Sequence, residues 1–449
     1  MWQTIKNFYH FVEALLANII YGFPGKKLRI IGVTGTDGKT TTVALIFAIL
    51  RRAGHKAAMI TTVEAEINGA SYDLKFHPPT FHKISSIKSW INKTLFSKET
   101  TARAPLYKGG GVHGTTPSAF AIQKFLYDAA RAGATHAVLE VSSHGLDQFR
   151  VWGIPFEIGV LTNITHEHFD YHKTLARYTE AKLKLFKQAK IAVLNLDDNA
   201  HAVFMEKLHG KAVKSYSLRN SAADCTPEKF PLKTNLFGEF NLENCLSAVT
   251  AAKAIGVDED VIRMALKEFK APPGREEIVY DQDFTVMIDF AHTPNALEAL
   301  LSEISKMPRV HSGRIIHIFS ATGGRDSSKR PFMGAASAKY AQVIILTAED
   351  PRYENVSDIN AQIKKGIPPT FTLLPPEATS GKKGTELLFE IPEREQAIQF
   401  GIAIAQRGDF VVITGKGHER EMYVRGGAVP FNEKEIIQQA LVAKAFKNL

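Results

Sequence analysis

The sequence has little cysteine, with only Cys225 and Cys245 among its 449 residues. Two thiols cannot build a disulfide framework or a four-cysteine zinc site, so we expect a reducing, cytoplasmic setting. Long apolar runs are also missing, since no stretch approaches the ~20 residues that span a bilayer. A hydrophobic fraction of 45% and a charged fraction of 22% exclude a disordered or collagen-like chain.

Acidic residues are fewer than basic ones, 46 against 55, and the basic excess is concentrated in one segment. Leu74–Lys108 carries seven basic residues and a single acid, Glu99. The rest of the chain is not strongly basic, so we do not expect a nucleic-acid partner. The segment also has isoleucines at helical spacing. This pattern fits a packed surface helix, or a substitute module for binding substrate or a membrane surface.

Short β-branched runs alternate with helical patterns, which predicts an α/β fold with mainly parallel sheets. Pro272–Gly274 is typical of a hinge between domains. The predicted organisation is an N-terminal helical segment (1–27), a central domain (28–271) with a basic insertion (about 66–114), and a C-terminal domain (272–449). Strands are predicted at Leu28–Thr34, His136–Val141, Ile158–Asn163, Ile191–Asn195, Thr285–Asp289, Arg314–Ser320, Val343–Thr347 and Phe410–Thr414.

The strongest local signal is Gly32–Thr41, between a predicted strand and a predicted helix. Glycines let backbone N–H groups surround a phosphate, and the helix N-terminus adds a favourable dipole. Val33 stands where the generic phosphate loop has glycine, so the match is one residue short. Lys39 is placed to reach the β- and γ-phosphates, and the Thr40 hydroxyl to ligate Mg²⁺. The predicted nucleotide-binding residues of this loop are Gly35, Thr36, Asp37, Gly38, Lys39, Thr40 and Thr41.

Further polar residues follow later strands. Glu140 lies near the carboxyl end of the predicted strand His136–Val141, where a carboxylate suits Mg²⁺ but where a solvated glutamate is equally common. Thr162–His172 contains three histidines, a pattern compatible with zinc or with a site that serves ATP and Mg²⁺. Lys182 lies on the next predicted helix, and taken alone it is most simply a surface lysine.

Together these motifs resemble those of the Mur ligases, the ATP-dependent amide-bond synthetases of peptidoglycan precursor assembly. Within that family they are most similar to the MurE type, the UDP-N-acetylmuramoyl-tripeptide synthetases. The resemblance implies a central P-loop ATPase domain, a Rossmann-like C-terminal domain and ATP bound between them. It extends from about Leu28 to the C-terminus and includes Thr115–Pro117, Gly238–Asn244, Gly274–Arg275, Asp289–Pro294, Gly323–Arg325, Lys329–Pro331, Asp350–Arg352 and Gly415–Glu419.

The resemblance also implies a role for each matched residue. Two Mg²⁺ ions would be held by four side chains, those of Thr40, Glu140, His168 and Lys182. The amino group of Lys182 would be carbamylated. The implied catalytic residues are Lys39, Glu140, His168 and Lys182. Further nucleotide contacts are implied for Asn244, Arg275 and Asp289. The muramoyl substrate would contact Thr116, Ser142 and His144, and the incoming amino acid would contact Arg352 and Glu419.

Two departures from the family leave the substrates open. Only 27 residues precede the first predicted strand, whereas MurE-type enzymes carry a UDP-binding domain there. Asp350 replaces the usual asparagine, and it could pair with Arg352 and divert that side chain from a ligand.

Folylpolyglutamate synthases also lack the UDP domain, but they favour Gly-Lys-Gly-Ser in the phosphate loop. The MurT-type amidating subunit typically needs a zinc ribbon that two cysteines cannot supply.

The sequence therefore predicts a cytoplasmic, monomeric, ATP-dependent ligase without stable membrane insertion. The reaction that the resemblance implies adds an amino acid, meso-diaminopimelate, to a muramoyl-peptide precursor through an acyl phosphate. A Mur-like ligase with a different, non-UDP acyl substrate is one alternative. A non-catalytic ATP-binding regulator is another, and the presence of Lys39, Glu140, His168 and Lys182 argues against it.

Overall fold

The computed structural model describes residues 2–74, 116–165, 167–308, 310, 313–377 and 385–447. The basic segment Leu74–Lys108 lies outside the described residues apart from Leu74 itself. The chain divides into two compact units. The first unit comprises Met1–Ile164, Ala176–Asn235 and Leu242–Phe269. The second unit comprises Thr165–Leu175, Leu236–Asn241 and Lys270–Leu449.

The described helices and strands alternate along both units. The α-helices are α1 Trp2–Ile20, α2 Lys39–Arg52, α3 Ala119–Arg131, α4 Ser143–Asp147, α5 Phe169–His172, α6 Leu175–Gln188, α7 His201–Lys207, α8 Glu239–Ala254, α9 Glu259–Glu268, α10 Pro294–Ser305, α11 Arg330–Ala338, α12 Val356–Lys364, α13 Arg394–Ile404 and α14 Glu433–Lys447. The strands are β1 Arg29–Thr34, β2 Ala57–Ile60, β3 Ala65–Ile67, β4 Ala70–Ser71, β5 His136–Glu140, β6 Phe156–Leu161, β7 Ile191–Asn195, β8 Ala212–Tyr216, β9 Glu277–Asp281, β10 Thr285–Asp289, β11 Ile315–Phe319, β12 Val343–Leu346, β13 Thr372–Leu373, β14 Leu387–Glu390, β15 Phe410–Thr414, β16 Glu421–Val424 and β17 Gly427–Pro430.

The first unit is built on an eight-stranded sheet in the order β4-β3-β2-β5-β1-β6-β7-β8. Strands β2, β5, β1, β6, β7 and β8 are parallel, and β3 and β4 add antiparallel pairs at one edge. The core strands are almost continuous apolar runs, as expected where helices cover both faces of a parallel sheet. The loops that follow β1, β5 and β6 therefore meet at one edge of the sheet.

Local sequence signals explain where several helices begin. Ser118 accepts a hydrogen bond from the Ala121 amide and caps α3, and Ser142 does the same for Gly145 in α4. Thr293 caps α10, whose first residue is a proline that needs no amide partner there. These caps fix the points at which the chain leaves the sheet.

The second unit has a seven-stranded sheet in the order β13-β14-β12-β11-β15-β10-β9. All of its strand pairs are parallel except β9 with β10. A hydrophobic core covers each face of this sheet. A separate hairpin, β16 and β17, follows β15.

The predicted α/β class is confirmed, and the predicted strands at Ile191–Asn195, Thr285–Asp289 and Phe410–Thr414 have the predicted ends. The predicted strand Ile158–Asn163 begins and ends two residues earlier, at Phe156 and Leu161. Edge strands such as β3 and β13 went unpredicted, because two or three residues carry too little pattern to detect. Across the residues the structure describes, no helix is both long and apolar enough to cross a membrane.

Candidate functional site

The loop between β1 and α2 has room only for glycine at two positions. Gly38 has φ 81°, and a Cβ atom there would lie 2.2 Å from Asn244 Oδ1. A Cβ atom on Gly35 would lie 1.7 Å from Thr162 Oγ1. The loop is also tied to the segment after β6, since the Asp37 amide donates to Asn163 Oδ1 at 2.9 Å. The predicted contact residue Asn244 is thus brought to the phosphate loop within the first unit.

Thr40 and Glu140 meet at the sheet edge, as expected of side chains that would share a metal ion. The Thr40 hydroxyl donates to Glu140 Oε2 at 3.0 Å, and Glu140 is only 3% exposed. Glu140 also accepts hydrogen bonds from the amide and hydroxyl of Thr62, at 2.8 and 2.9 Å. Sequence reasoning missed Thr62, which follows the short strand β2 and has no motif of its own.

Lys39 and Thr41 begin α2 directly after the glycine loop. Lys39 Nζ donates to the backbone oxygen of Thr36 at 2.7 Å and so closes the loop on itself. Thr36 in turn lies 3.1 Å from the Tyr178 hydroxyl, oxygen to oxygen. A bound phosphate would offer Lys39 a stronger, charged acceptor than a backbone carbonyl.

Lys182 is not a surface residue, so the simplest interpretation of that position was wrong. Its side chain is 1% exposed, and its Nζ donates to the backbone oxygen of Gly35 at 2.6 Å. The same nitrogen lies 4.4 Å from the centroid of the Tyr178 ring. A lysine buried against the phosphate loop has lost its hydration, so its position calls for a chemical reason.

Thr116 and Ser142 form a small polar cluster where β5 ends. The Ser142 amide donates to Thr116 Oγ1 at 2.7 Å, and a Cβ atom on Gly145 would lie 2.7 Å from Thr116 Cβ. His144 is half-buried on the short helix α4 that Ser142 caps. The structure therefore places Thr116, Ser142 and His144 near one another where β5 ends.

His168 belongs to the second unit, in the segment Thr165–Leu175. It has a left-handed backbone, with φ 59°, and precedes α5. Its Nδ1 lies 3.9 Å from Glu167 Oε1, and buried Glu167 pairs with Lys329 at 3.1 Å. Glu167 is therefore held by Lys329, and its contact with His168 is longer than a hydrogen bond.

Arg275 and Asp289 are close together in the second unit. The Arg275 guanidinium lies 4.5 Å from the centroid of the Phe290 ring. The Asp289 carboxylate accepts hydrogen bonds from the amides of Glu276 and Ala291, at 2.8 and 2.7 Å. Burial raises the pKa of Asp289 above its ordinary value, although nearby Arg275 acts in the opposite direction.

Asp350 does not divert Arg352. Its Oδ1 accepts from Lys416 Nζ at 2.7 Å and from the Tyr423 amide at 3.0 Å. Lys416 is fully buried and also pairs with Glu419. The acid that replaces asparagine in this chain is therefore neutralised by the lysine of Gly415–Glu419.

Arg352 is half-buried and held by backbone geometry. It has φ 55°, and its amide donates to the backbone oxygen of Tyr423 at 2.8 Å. Arg325 was not predicted as a site residue, yet its pKa is lowered by burial and by the charge of Arg352. The carboxylates of Asp170, Glu167 and Asp350 act on the pKa of Arg325 in the opposite direction. A guanidinium at Arg352 remains suited to binding an anionic group. The signal in the sequence was Gly323-Gly324-Arg325, whose glycines approach the Pro351 oxygen and Tyr353 closely.

Glu349 is a buried carboxyl group next to this cluster. Its Oε1 accepts from the Thr322 hydroxyl at 2.5 Å, whereas its Oε2 is buried without a hydrogen-bond partner. Burial, together with neighbouring Asp350, raises the pKa of Glu349 to about 7. Between pH 4.5 and about 7, the folded protein therefore keeps a proton on Glu349. The unfolded chain has already released this proton, because there the carboxyl group has its ordinary pKa of 4.5.

This proton gives a pH-dependent stability. The group contributes its full stabilisation below pH 4.5 and loses it as the pH rises through about 7. Across that range we expect the free energy of unfolding of the wild type to fall by up to about 3 kcal/mol relative to Glu349→Gln. Urea denaturation at a series of pH values measures the difference. The control is Glu395→Gln, a change at an exposed glutamate. If the free energy of unfolding had the same pH dependence in the wild type and in Glu349→Gln, the prediction would be contradicted.

Zinc coordination finds no support in the described part of the chain. No group of three or more histidine, cysteine, aspartate or glutamate side chains there is arranged to hold a metal ion. His166, one of the three histidines in Thr162–His172, lies outside the described residues. The donor pair at the phosphate loop is instead a hydroxyl and a carboxylate, Thr40 and Glu140.

The chain is similar to known proteins over nearly its whole length. Residues 33–252 match the Mur ligase middle domain, and residues 274–417 match the Mur ligase glutamate ligase domain. A UDP-N-acetylmuramoyl-L-alanyl-D-glutamate–2,6-diaminopimelate ligase of Aquifex aeolicus (strain VF5) is 32% identical over 441 residues, which cover 95% of this chain and 80% of that protein. A UDP-N-acetylmuramyl-tripeptide synthetase of Roseiflexus sp. (strain RS-1) is 33% identical, with 95% and 81% covered. A solved structure of a UDP-N-acetylmuramoyl-L-alanyl-D-glutamate–2,6-diaminopimelate ligase is 31% identical, with a TM-score of 0.56 and coverage of 93% and 79%.

Proposed function

Because the chain belongs to the Mur ligase family, we propose that it is an ATP-dependent ligase that adds meso-diaminopimelate to a muramoyl-peptide precursor of peptidoglycan. The observation that carries the proposal is the arrangement around the phosphate loop. Thr40, Glu140 and the buried Lys182 are all held at the loop between β1 and α2. A regulator that only bound ATP would have no need of a buried lysine there.

The reaction must activate a poor acyl donor. A carboxylate oxygen of the muramoyl peptide attacks the γ-phosphorus of ATP, which forms an acyl phosphate and releases ADP. The amino group of the incoming amino acid then attacks the acyl carbon, and the amide forms as inorganic phosphate and a proton leave. Lys39 and the amides of the glycine loop bind the phosphates and offset their charge as the phosphoryl group moves.

The residues at the loop fit a divalent cation. Thr40 and Glu140 offer a hydroxyl and a carboxylate, the oxygen donors that Mg²⁺ prefers, and Glu140 is held in place by Thr62. Bound Mg²⁺ would neutralise phosphate charge and polarise the phosphoryl group. For the second ion of the pair we propose His168 and a carbamylated Lys182, since a carbamate supplies negative oxygens that an ammonium lacks.

Recognition of the two substrates is assigned to different loops. Thr116, Ser142 and His144 are proposed to contact the muramoyl peptide, and Arg352 and Glu419 the amino acid. Asn244 in the first unit, and Arg275 and Asp289 in the second, are proposed to contact the nucleotide. We also propose that the boundary between the domains lies near Pro272 and that the protein is a monomer. Sedimentation analysis would test the monomeric state.

A substrate screen tests the function. The purified chain is incubated with ATP, Mg²⁺ and an acyl substrate, which is a UDP-linked, lipid-linked or free muramoyl dipeptide, with and without meso-diaminopimelate. We expect phosphate release only when ATP, an acyl substrate and the amino acid are all present, and mass spectrometry should find the extended peptide. If the chain turned over only a carboxylic acid without a muramoyl group, the proposed acyl substrate would be wrong. ATP binding without turnover on any acid would favour the regulator.

A further inference from the structure

A basic cavity lies at the edge of the first sheet away from the phosphate loop. Its volume is about 400 Å³, and it is formed where β1, β6 and β7 begin. The three strands are parallel, so their first residues share one edge and the phosphate loop lies at the other. The cavity is lined by Lys26, Lys27, Leu28, Arg29, Pro155, Glu157 and Lys190.

The cavity carries an excess of positive charge. Arg29 donates to both oxygens of Glu157, at 2.7 and 2.5 Å, and this pairing lowers the pKa of Glu157. The carboxylate of the lining is thereby neutralised. Lys26, Lys27 and Lys190 are exposed and add their charges to this edge. Such a surface attracts anions of the phosphate class without using the catalytic loop.

Helix α1, which precedes this cavity in the chain, has two apolar faces. One face is buried, with Ala14 and Ala17 fully covered in a cluster that includes Phe120. Apolar side chains also lie on the opposite face and are exposed. Their exposed fractions are 68% for Phe8, 66% for Tyr9, 43% for Leu16 and 56% for Ile19.

The helical repeat aligns these exposed residues. Leu16 and Ile19 are three positions apart, and Phe8 lies two turns before Leu16, so the side chains project from one side of α1. Single exposed apolar residues are ordinary, but an aligned stripe of them on one helix marks an interaction surface. Only five residues separate the end of α1 from Lys26 and Lys27.

We propose that α1 and the basic cavity form a docking surface for an anionic lipid membrane. The apolar stripe would insert at the level of the headgroups, where Phe8 and Tyr9 suit the interface, and the lysines would bind lipid phosphates. Stable membrane attachment generally needs two such signals, one apolar and one electrostatic, and this surface has both. A nucleic acid would match the lysines but would leave the apolar stripe exposed to water.

Docking leaves the catalytic loop available. Strand β1 has six residues, and a strand rises about 3.3 Å per residue, so the basic edge and the phosphate loop are about 20 Å apart. Substrates would therefore still reach the loop from the side of the sheet away from the lipid. This inference does not depend on which amino acid the enzyme adds.

Vesicle co-sedimentation of the full chain tests the proposal. The probes are vesicles of phosphatidylcholine mixed with phosphatidylglycerol and vesicles of phosphatidylcholine alone. We expect binding to the mixed vesicles that weakens with added salt. The triple change Lys26→Glu, Lys27→Glu and Lys190→Glu should lower the partition coefficient about a hundredfold or more. The matched control makes the same change of charge at the exposed residues Lys233, Lys267 and Lys365.

A second pair of changes, Leu16→Asp with Ile19→Asp, should reduce binding to the mixed vesicles while the melting temperature stays that of the wild type. Equal binding to both vesicle types, or equal loss with the control lysines, would overturn the proposal. So would binding of duplex DNA without vesicle binding. Dissociation of a dimer by the α1 changes, again without vesicle binding, would assign this face to a second copy. Each of these readouts is independent of phosphate release, so failure of the proposed reaction would not be confused with failure of docking.

Discussion

Replacing Lys182 by alanine should lower the rate of phosphate release at least about a thousandfold. The expectation rests on the proposed carbamate, whose oxygens would support a metal ion that offsets several kcal/mol of developing charge. The side chain is 1% exposed and lies against the backbone of the phosphate loop. ATP binding should be much less affected, because Lys39 and the loop amides remain.

Two further measurements separate chemistry from folding. Added short carboxylic acids should restore part of the activity of Lys182→Ala, because they supply the missing carboxylate oxygens. In the wild type, ¹³C-labelled bicarbonate should give a carbamate signal in the NMR spectrum that Lys182→Ala lacks. The matched control is Lys184→Ala on the same helix, a more exposed lysine that pairs with Asp147. Unchanged turnover in Lys182→Ala would remove this lysine from the mechanism.

Replacing Arg352 by alanine should lower kcat/KM for meso-diaminopimelate about a hundredfold. A guanidinium can bind the distal carboxylate of this amino acid through two charge-assisted hydrogen bonds, worth about 3 kcal/mol together. Lysine has an ammonium group at that end and would face Arg352 and Arg325 with the same charge. The wild type should therefore prefer meso-diaminopimelate, and Arg352→Ala should lose most of that preference.

The measurement is phosphate release that depends on the amino acid, with meso-diaminopimelate and with lysine. Arg352→Lys is the informative second variant, since it retains the charge but not the fork, and we expect intermediate activity. The exposed Arg420, which bonds to Asn432, provides the control Arg420→Ala. Should lysine be the better substrate of the wild type, or should the preference survive Arg352→Ala, the assignment of the amino acid is wrong.

The sequence predicts best where chemistry and local geometry coincide. The phosphate loop combines glycines that no other residue could replace with a strand before it and a helix after it. Its position could therefore be predicted from Gly32–Thr41 alone. The strands that are long apolar runs were predicted for a similar reason, because burial on both faces leaves a continuous pattern.

Contacts between distant parts of the chain were beyond sequence reasoning. Thr62 holds Glu140 although 78 residues separate them, and nothing near Thr62 marks it. The burial of Lys182 and the pairing of Asp350 with Lys416 likewise depend on how strands are ordered in each sheet. The sequence shows which residue types occur and how they are spaced. Which charged side chains pair with one another depends on the residues that the fold brings close in space.

The path of the chain has a consequence for autonomous folding. The second compact unit begins with Thr165–Leu175 and recruits Leu236–Asn241 before its main part starts at Lys270. Phe237 and Phe240 pack against the core formed on one face of its sheet. A fragment comprising residues 272–449 would lack both phenylalanines and leave that core partly open to water. Cleavage of the intact protein near Pro272 should consequently give two pieces that stay together, and the C-terminal piece expressed alone should aggregate unless residues 236–241 are supplied in trans.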